Sequence, residues 1–175
     1  MIKWLRKIFI ILSSHFDSTP VVTNPMPESP VDTVLDTDPI WLKRAFSEVG
    51  VKEIPGSKDN PRIIEYHSIT SLKATEDSVP WCSSFVCWVL EMSSIKSTRS
   101  AAARSYLSYG EKLSKGKRGC IAVFARPPSQ TSGHVAFYLY ETDNHVAVLG
   151  GNQDNQVKVS LYKKSNLLGY RWPKE

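Results

Sequence analysis

Val79-Pro80-Trp81-Cys82-Ser83-Ser84-Phe85-Val86-Cys87-Trp88-Val89-Leu90 reads as a cysteine placed on the first turn of a buried helix. Pro80 suits an approach or a first turn, because proline is excluded from a helix interior. The apolar positions Phe85, Val86, Trp88, Val89 and Met92 wrap most of the helix surface, the mark of a core helix. Cys82 therefore stands at the N-terminal mouth of a central helix. First-turn N–H groups lack intrahelical partners and the macrodipole is positive there, so both favour a thiolate. The helix end contributes about 1 kcal/mol, under one pKa unit. A free thiol near 8.5 is only about 3% ionised at neutral pH, so a protonated histidine beside the sulfur is expected to supply the rest. The alternative is a small buried hydrophobe, the commoner fate of a cysteine.

Upstream of this helix, Asp38-Pro39 offers an N-cap and a proline at the first helical position. Leu42, Ala45, Phe46 and Val49 follow at helical spacing, and Gly50 closes the helix. Pro55-Gly56 makes a turn, and Asn60-Pro61 starts a short helix through Ile63, Ile64 and Tyr66. Downstream, Ala101 to Tyr109 reads as a fourth helix. The period then changes to short apolar or alternating runs at Ile121–Ala125, Val135–Tyr140, Val146–Leu149, Val157–Leu161 and Leu168–Trp172. Pro127-Pro128, Asp143-Asn144 and Asp154-Asn155 separate some of them. Helices first and a meander of strands after predict an α+β domain with one antiparallel sheet.

His134 opens the second of these strands in Ser132-Gly133-His134-Val135-Ala136. The following strand runs into Leu149-Gly150-Gly151-Asn152-Gln153. A three-residue loop at Thr142-Asp143-Asn144 would set Asn152 opposite His134, and a two-residue loop at Asp143-Asn144 would set Gln153 there. Either register puts an amide about 5 Å from the imidazole, Cβ to Cβ. An amide oxygen there would fix the ring tautomer, as in the Cys-His-Asn variant of the nucleophile–base–orienter triad. Gly150-Gly151 would remove side chains next to the site, as a bound substrate requires.

Taken in order, Asp77 to Leu90, Gly119-Cys120-Ile121-Ala122-Val123-Phe124, Gly133-His134-Val135 and Leu149-Gly150-Gly151-Asn152-Gln153 resemble the CHAP and NlpC-like cysteine peptidases. These are papain-like enzymes that cut amide bonds of bacterial peptidoglycan. Glu53-Ile54-Pro55-Gly56, Asn60-Pro61 and Leu168-Gly169-Tyr170-Arg171-Trp172-Pro173 resemble a phage-associated branch, so the likeness spans roughly residues 40–173. It implies a papain-like fold with N-terminal helices packed on one antiparallel sheet. It also implies Cys82 as nucleophile, His134 as base and Asn152 as third residue. Trp81, Gly133 and Gln153 are the candidate substrate contacts. Cys120 departs from the pattern, which usually has Asp at that position.

The other titratable residues read as structural. Cys87 is about 140° round the helix from Cys82 and reads as a buried thiol. Cys120 reads as strand core, His145 as an exposed polar residue, and His67 as a partner for the carbonyls ending its helix. Three cysteines at 82, 87 and 120 match no zinc spacing and no disulfide framework, so no metal or cofactor is expected.

Charge and the N-terminal stretch bear on location. The net charge of +5 is uneven: residues 1–39 carry three basic and five acidic side chains, residues 40–175 carry 19 and 12. A basic domain suits a polyanionic target such as an acidic cell wall, and no nucleic-acid motif accompanies the charge. Met1–Leu12 is basic and then apolar. It fits a secretory signal or weak anchor, a helix lying on a membrane surface, or an ordinary frayed start, and is too short to span a bilayer. Residues 13–38 carry Pro20, Pro25, Pro27 and Pro30 and read as a disordered tether, leaving 39–175 as the peptidase domain.

The expected function is peptidoglycan hydrolysis, as an endopeptidase or N-acetylmuramoyl-L-alanine amidase, by a monomer at the periplasm or cell envelope or carried by a phage. A papain-like acyltransferase would need a dry apolar channel, which the sequence does not offer. A wall-binding module without catalysis would not need Cys82, His134 and Asn152 together.

Overall fold

The structure is a computed structural model and describes residues 32–174. The expectations for residues 1–12, and for the tether up to residue 31, lie outside the described residues. Three helices precede a six-stranded antiparallel sheet. The helices are α1 (Ile40–Ser47), α2 (Pro61–Ser68) and α3 (Cys82–Glu91). The strands are β1 (Glu111–Leu113), β2 (Ile121–Ala125), β3 (Gly133–Glu141), β4 (His145–Gly150), β5 (Lys158–Lys163) and β6 (Leu167–Trp172). The expected α+β class, helices on one antiparallel sheet, is what the chain adopts.

Helix α3 is the hub, buried from Cys82 to Leu90. Tyr66 of α2 packs on Trp81, Phe85 and Trp88 at centroid distances of 5.9, 5.5 and 5.2 Å, and Phe85 meets Phe137 of β3 edge-on at 6.4 Å. Burying one such ring stabilises the fold by roughly 1.5–3 kcal/mol. Helix α2 starts as the sequence predicts: Asn60 accepts the Arg62 N–H at 2.9 Å, and Pro61 follows. At its other end His67 does not serve the helix carbonyls. It is fully buried, and its Nδ1 lies 3.0 Å from Ser84 Oγ of α3.

Two further readings are corrected. Helix α1 begins at Ile40, with Pro39 as N-cap and no side-chain cap. Asp38 instead takes the Leu35 N–H at 2.9 Å and the Arg118 Nε–H at 2.7 Å, and Arg118 also donates to the Thr33 carbonyl at 2.7 Å. Thr33 and Asp38 thus both touch the body of the fold through Arg118. The fourth helix is a 3-10 segment, Ala103–Ser108, too short of i→i+4 bonds for an α-helix.

Strand order is β1-β6-β2-β3-β4-β5, so β2 to β5 form the expected meander while β6 returns to pair with β2 and β1. One face of the sheet, with Val135, Phe137, Ala147 and Leu149, packs on the helices. The other, with Cys120, Ala122, Phe124, Ala136 and Val148, holds a second cluster. The sheet curls strongly. Phe124 of β2 stacks on Tyr162 of β5 at 4.9 Å, although two strands lie between them. A flat sheet would hold such strands roughly 14 Å apart.

Candidate active site

Cys82 is the first residue of α3. Burial pushes its thiol up from the ordinary value, against the Arg126 guanidinium and the backbone amides of Val135, Ser83 and Cys82 itself, which favour the thiolate. Val135 follows His134 directly, so the sulfur faces the first residues of β3. His134 is fully buried. It pairs across the sheet with Phe124, and its ring lies on that of Tyr162 at 4.6 Å and 6°.

The imidazole has two polar neighbours. His134 Nε2 is 3.0 Å from Gln153 Oε1, and Nδ1 is 3.2 Å from an Arg126 Nη2. The Gln153 amide NH2 donates to the carbonyls of Val148 and Lys158, which leaves its oxygen for the ring. An amide oxygen only accepts, so Nε2 carries the proton and Nδ1 presents its lone pair. Arg126 can only donate, which agrees with that tautomer. Burial first, and then Arg126, push the imidazolium down to about 3, while the Gln153 bond works the other way. Both shifts favour the neutral form, thiol at Cys82 and imidazole at His134. The expected protonated histidine beside the sulfur is not what this environment favours.

Gln153, not Asn152, stands beside His134, and two bulges decide it. At the β3–β4 loop, Glu141 faces Val146, the register of a two-residue loop. A shift between Tyr138 and Tyr140 changes the pairing to Tyr138 with Val148 and Phe137 with Leu149, the register of a three-residue loop. Continued, that ladder would set Asn152 opposite His134, but β4 ends at Gly150. Gly150 faces Lys158, while Gln153 exchanges backbone hydrogen bonds with Gln156 at 3.0 and 3.3 Å. Gly151 and Asn152 together oppose Val157, and Asn152 is left-handed with φ +55°. The extra residue flips the alternation and hands Gln153 the position expected for Asn152. Asp154 and Asn155, at φ +50° and +61°, complete a primed turn that returns the chain into β5.

The proposed substrate contacts fare differently. Trp81 is fully buried, its Nε1 2.8 Å from Glu53 Oε1, so it offers no surface to a ligand. Gln153 is 2% exposed, its amide NH2 donating to the Val148 and Lys158 carbonyls and its oxygen facing the ring, and it also lines a cleft with Asn152 and Tyr162. Gly133 is required by the strands: a Cβ there would meet the Phe124 carbonyl oxygen at 2.8 Å. Gly150 and Gly151 make room for the protein itself, since their Cβ atoms would meet Ala136 Cβ at 2.7 Å and the Trp81 ring at 2.5 Å. Cys87 is a buried structural thiol, 3.2 Å from the Tyr106 hydroxyl, and Cys120, buried just before β2 and not within it, is pushed up to about 12 by burial.

Two site residues were missed, Arg126 and Tyr162. Arg126 follows the last residue of β2, two positions beyond the Phe124 that pairs with His134, so a correct β2–β3 register would have found it. Tyr162 arrives only because the sheet curls, and no local signal announces that. Among the described residues, no group of three or more His, Cys, Asp or Glu is arranged to hold a metal ion.

No protein-family model and no curated protein matches the chain. Among solved structures, the chain is similar to a Staphylococcus aureus protein described as similar to lipoprotein, NLP/P60 family. The identity is 18%, the TM-score 0.49, and the match covers 86% of this chain and 45% of that one. The chain spans less than half the length of that protein.

Proposed function

We propose that the chain is a cysteine hydrolase of amide bonds in bacterial cell-wall peptide, with Cys82 as nucleophile, His134 as general base and acid, and Gln153 as orienter. The observation that carries this reading is the His134 tautomer. Gln153 holds the proton on Nε2, so Nδ1 is the nitrogen able to take a thiol proton. The buried, neutral pair makes this a general-base mechanism: Cys82 loses its proton to His134 as the sulfur attacks the carbonyl. The Cys82 backbone N–H, in the open first turn of α3, is the oxyanion donor. His134 then protonates the leaving amine, and water hydrolyses the thioester. The likeness of the ordered motifs to CHAP and NlpC-like peptidases supplies the substrate class, and the envelope is the corresponding location.

A zymogram on purified cell walls tests it. Wild-type protein should clear the wall layer and Cys82→Ala should not. Clearing by Cys82→Ala would remove the nucleophile assignment, and no clearing by wild type on any wall type would remove the substrate class.

A further inference from the structure

Trp81, the residue before the nucleophile, is held at both ends of its indole. Its Nε1–H donates to Glu53 Oε1 at 2.8 Å. The opposite edge of the ring faces Gly151, where a Cβ would lie 2.5 Å from it. Trp81 is the N-cap of α3 and makes no side-chain cap hydrogen bond, so its indole anchors the turn that presents Cys82. Gly151 opens the turn that carries Gln153, whose oxygen orients His134. The ring is therefore a spacer between the nucleophile and the orienter of its base.

Glu53 joins the two sides of that spacer. Its carboxylate takes the indole N–H, and its own backbone N–H donates to the Asn155 carbonyl at 2.9 Å, in the same turn as Gln153. Two more backbone bonds, Gly50 N–H to the Val157 carbonyl at 3.0 Å and Val157 N–H to the Val51 carbonyl at 2.8 Å, lay the preceding segment along the chain that leaves this turn. An N–H bond to a carboxylate is about twice as strong as one to a neutral acceptor. Such support matters because reacting groups must be held to within about 0.5 Å of the productive geometry. We propose that Glu53 is a positioning residue of the site: by fixing the Trp81 indole against Gly151, it sets the separation between the Cys82 sulfur and the His134–Gln153 pair. This rests on the hydrolase reading above. It gives the Glu53-Ile54-Pro55-Gly56 stretch a part in the reaction, although it lies far from Cys82 along the chain.

Steady-state kinetics on a soluble wall peptide test it, with Glu53→Ala, Glu53→Gln and Trp81→Phe. Glu53→Ala should lower kcat about tenfold or more and leave KM within about twofold, since a displacement of about 1 Å costs up to about 10²-fold. Glu53→Gln, whose amide oxygen still accepts the indole N–H, should recover most of that loss. Trp81→Phe keeps a ring beside Gly151 but has no N–H, so it should lose kcat as Glu53→Ala does, and it serves where Glu53→Ala does not fold. Combining the two should cost little more than either, because both remove the same bond. Wild-type kcat in Glu53→Ala or Trp81→Phe, equal losses in Glu53→Ala and Glu53→Gln, or additive losses in the double variant would overturn the inference. So would a rise in KM: Glu53 also lines a cleft of about 750 Å³ with Asp77 and Asp154, and would then be a ligand contact. If wild type cleaves no wall, the hydrolase reading falls and iodoacetamide reads the positioning alone. Cys82 should then be labelled more slowly in Glu53→Ala and Trp81→Phe than in wild type and Glu53→Gln, and equal rates in all four would overturn it.

Discussion

Gln153 Oε1 lies 3.0 Å from His134 Nε2 across a turn that carries one residue more than a regular hairpin. The extra residue is absorbed at Gly151-Asn152, and the carbonyls of Val148 and Lys158 hold the amide so that its oxygen faces the ring. A one-residue displacement in a strand exchanges the two faces. Here that exchange selects which amide orients the base.

Gln153→Ala should therefore lower kcat/KM on wall peptide by about 10²-fold, an orienter contributing less than the nucleophile or the base. Asn152→Gly should leave turnover within a few-fold, because glycine keeps the left-handed backbone that the bulge uses. Asn152→Ala should instead cost about 1–2 kcal/mol of stability, the penalty of that backbone region for a residue with Cβ. Steady-state kinetics and urea denaturation of the three variants check this. Equal losses of turnover from Gln153→Ala and Asn152→Gly would contradict the assignment.

Stability should fall as pH drops below about 6.5, before the carboxylates titrate. An unfolded histidine titrates near 6.5, whereas His134 is held at about 3, so between those values the unfolded chain binds the extra proton. The slope for one proton is about 1.4 kcal/mol per pH unit. Burial lowers His67 as well, and it adds in the same direction. Glu91, drawn down to about 2 mainly by Arg99, contributes stability that is present above the ordinary carboxylate range and lost only as pH falls towards that value. Urea midpoints between pH 8 and 4 should show the first loss near 6.5, and His134→Asn should make it shallower, leaving the His67 part. A stability profile level down to pH 5 in wild type would contradict the buried neutral imidazole.

Glu48 binds three donors at once: Tyr66 Oη–H at 2.6 Å, Arg62 Nε–H at 2.8 Å and Arg62 Nη2–H at 2.7 Å. Burial would raise its carboxyl, but Arg62 and Tyr66 hold it below the usual range. The cluster ties the end of α1 to α2, and through the Tyr66 ring to α3. Glu48→Ala should destabilise the fold by roughly 2 kcal/mol, because it strands the buried Tyr66 hydroxyl and removes two of the bonds of Arg62, which keeps Glu65. Glu48→Gln should cost less, since the amide oxygen can still accept. Equal costs for the two would place the effect in packing and not in the charge.

Residues 32–38 should prove part of the folded unit. Asp38 and the Thr33 carbonyl hold Arg118, whose side chain is 18% exposed. A chain starting at residue 32 should unfold cooperatively, and one starting at residue 39 should be less stable by about 1–3 kcal/mol, the cost of losing the Asp38 and Thr33 bonds. Equal midpoints would place the boundary at residue 39.

The buried helix behind Cys82, the late strands and the position of His134 were legible because each rests on a local signal: an all-apolar helix, period-two runs and turn dipeptides. The choice between Asn152 and Gln153 was not, because it depends on two bulges, and a bulge leaves no periodic trace until the partner strand is known. Arg126 and Tyr162 were missed for a related reason: they reach His134 through strand pairing and sheet curl, not through spacing along the chain. Strand β1, Glu111-Lys112-Leu113, has no apolar pattern and exists because β6 returns to pair with it. Trp81 could not be assigned from its place beside the cysteine, because whether a tryptophan there faces a cleft or the core depends on the Glu53 loop that takes its N–H.

Acylation of Cys82 by a wall peptide is the central claim, and mass spectrometry reads it directly. Wild-type protein is mixed with an activated ester of the acyl half of a stem peptide, quenched within the first turnover, digested and fragmented. The acyl mass should appear on Cys82 alone, should be absent in Cys82→Ala, and should be strongly reduced in His134→Ala. An adduct carried by Cys87 or Cys120, or none on any cysteine while the ester is consumed, would contradict it.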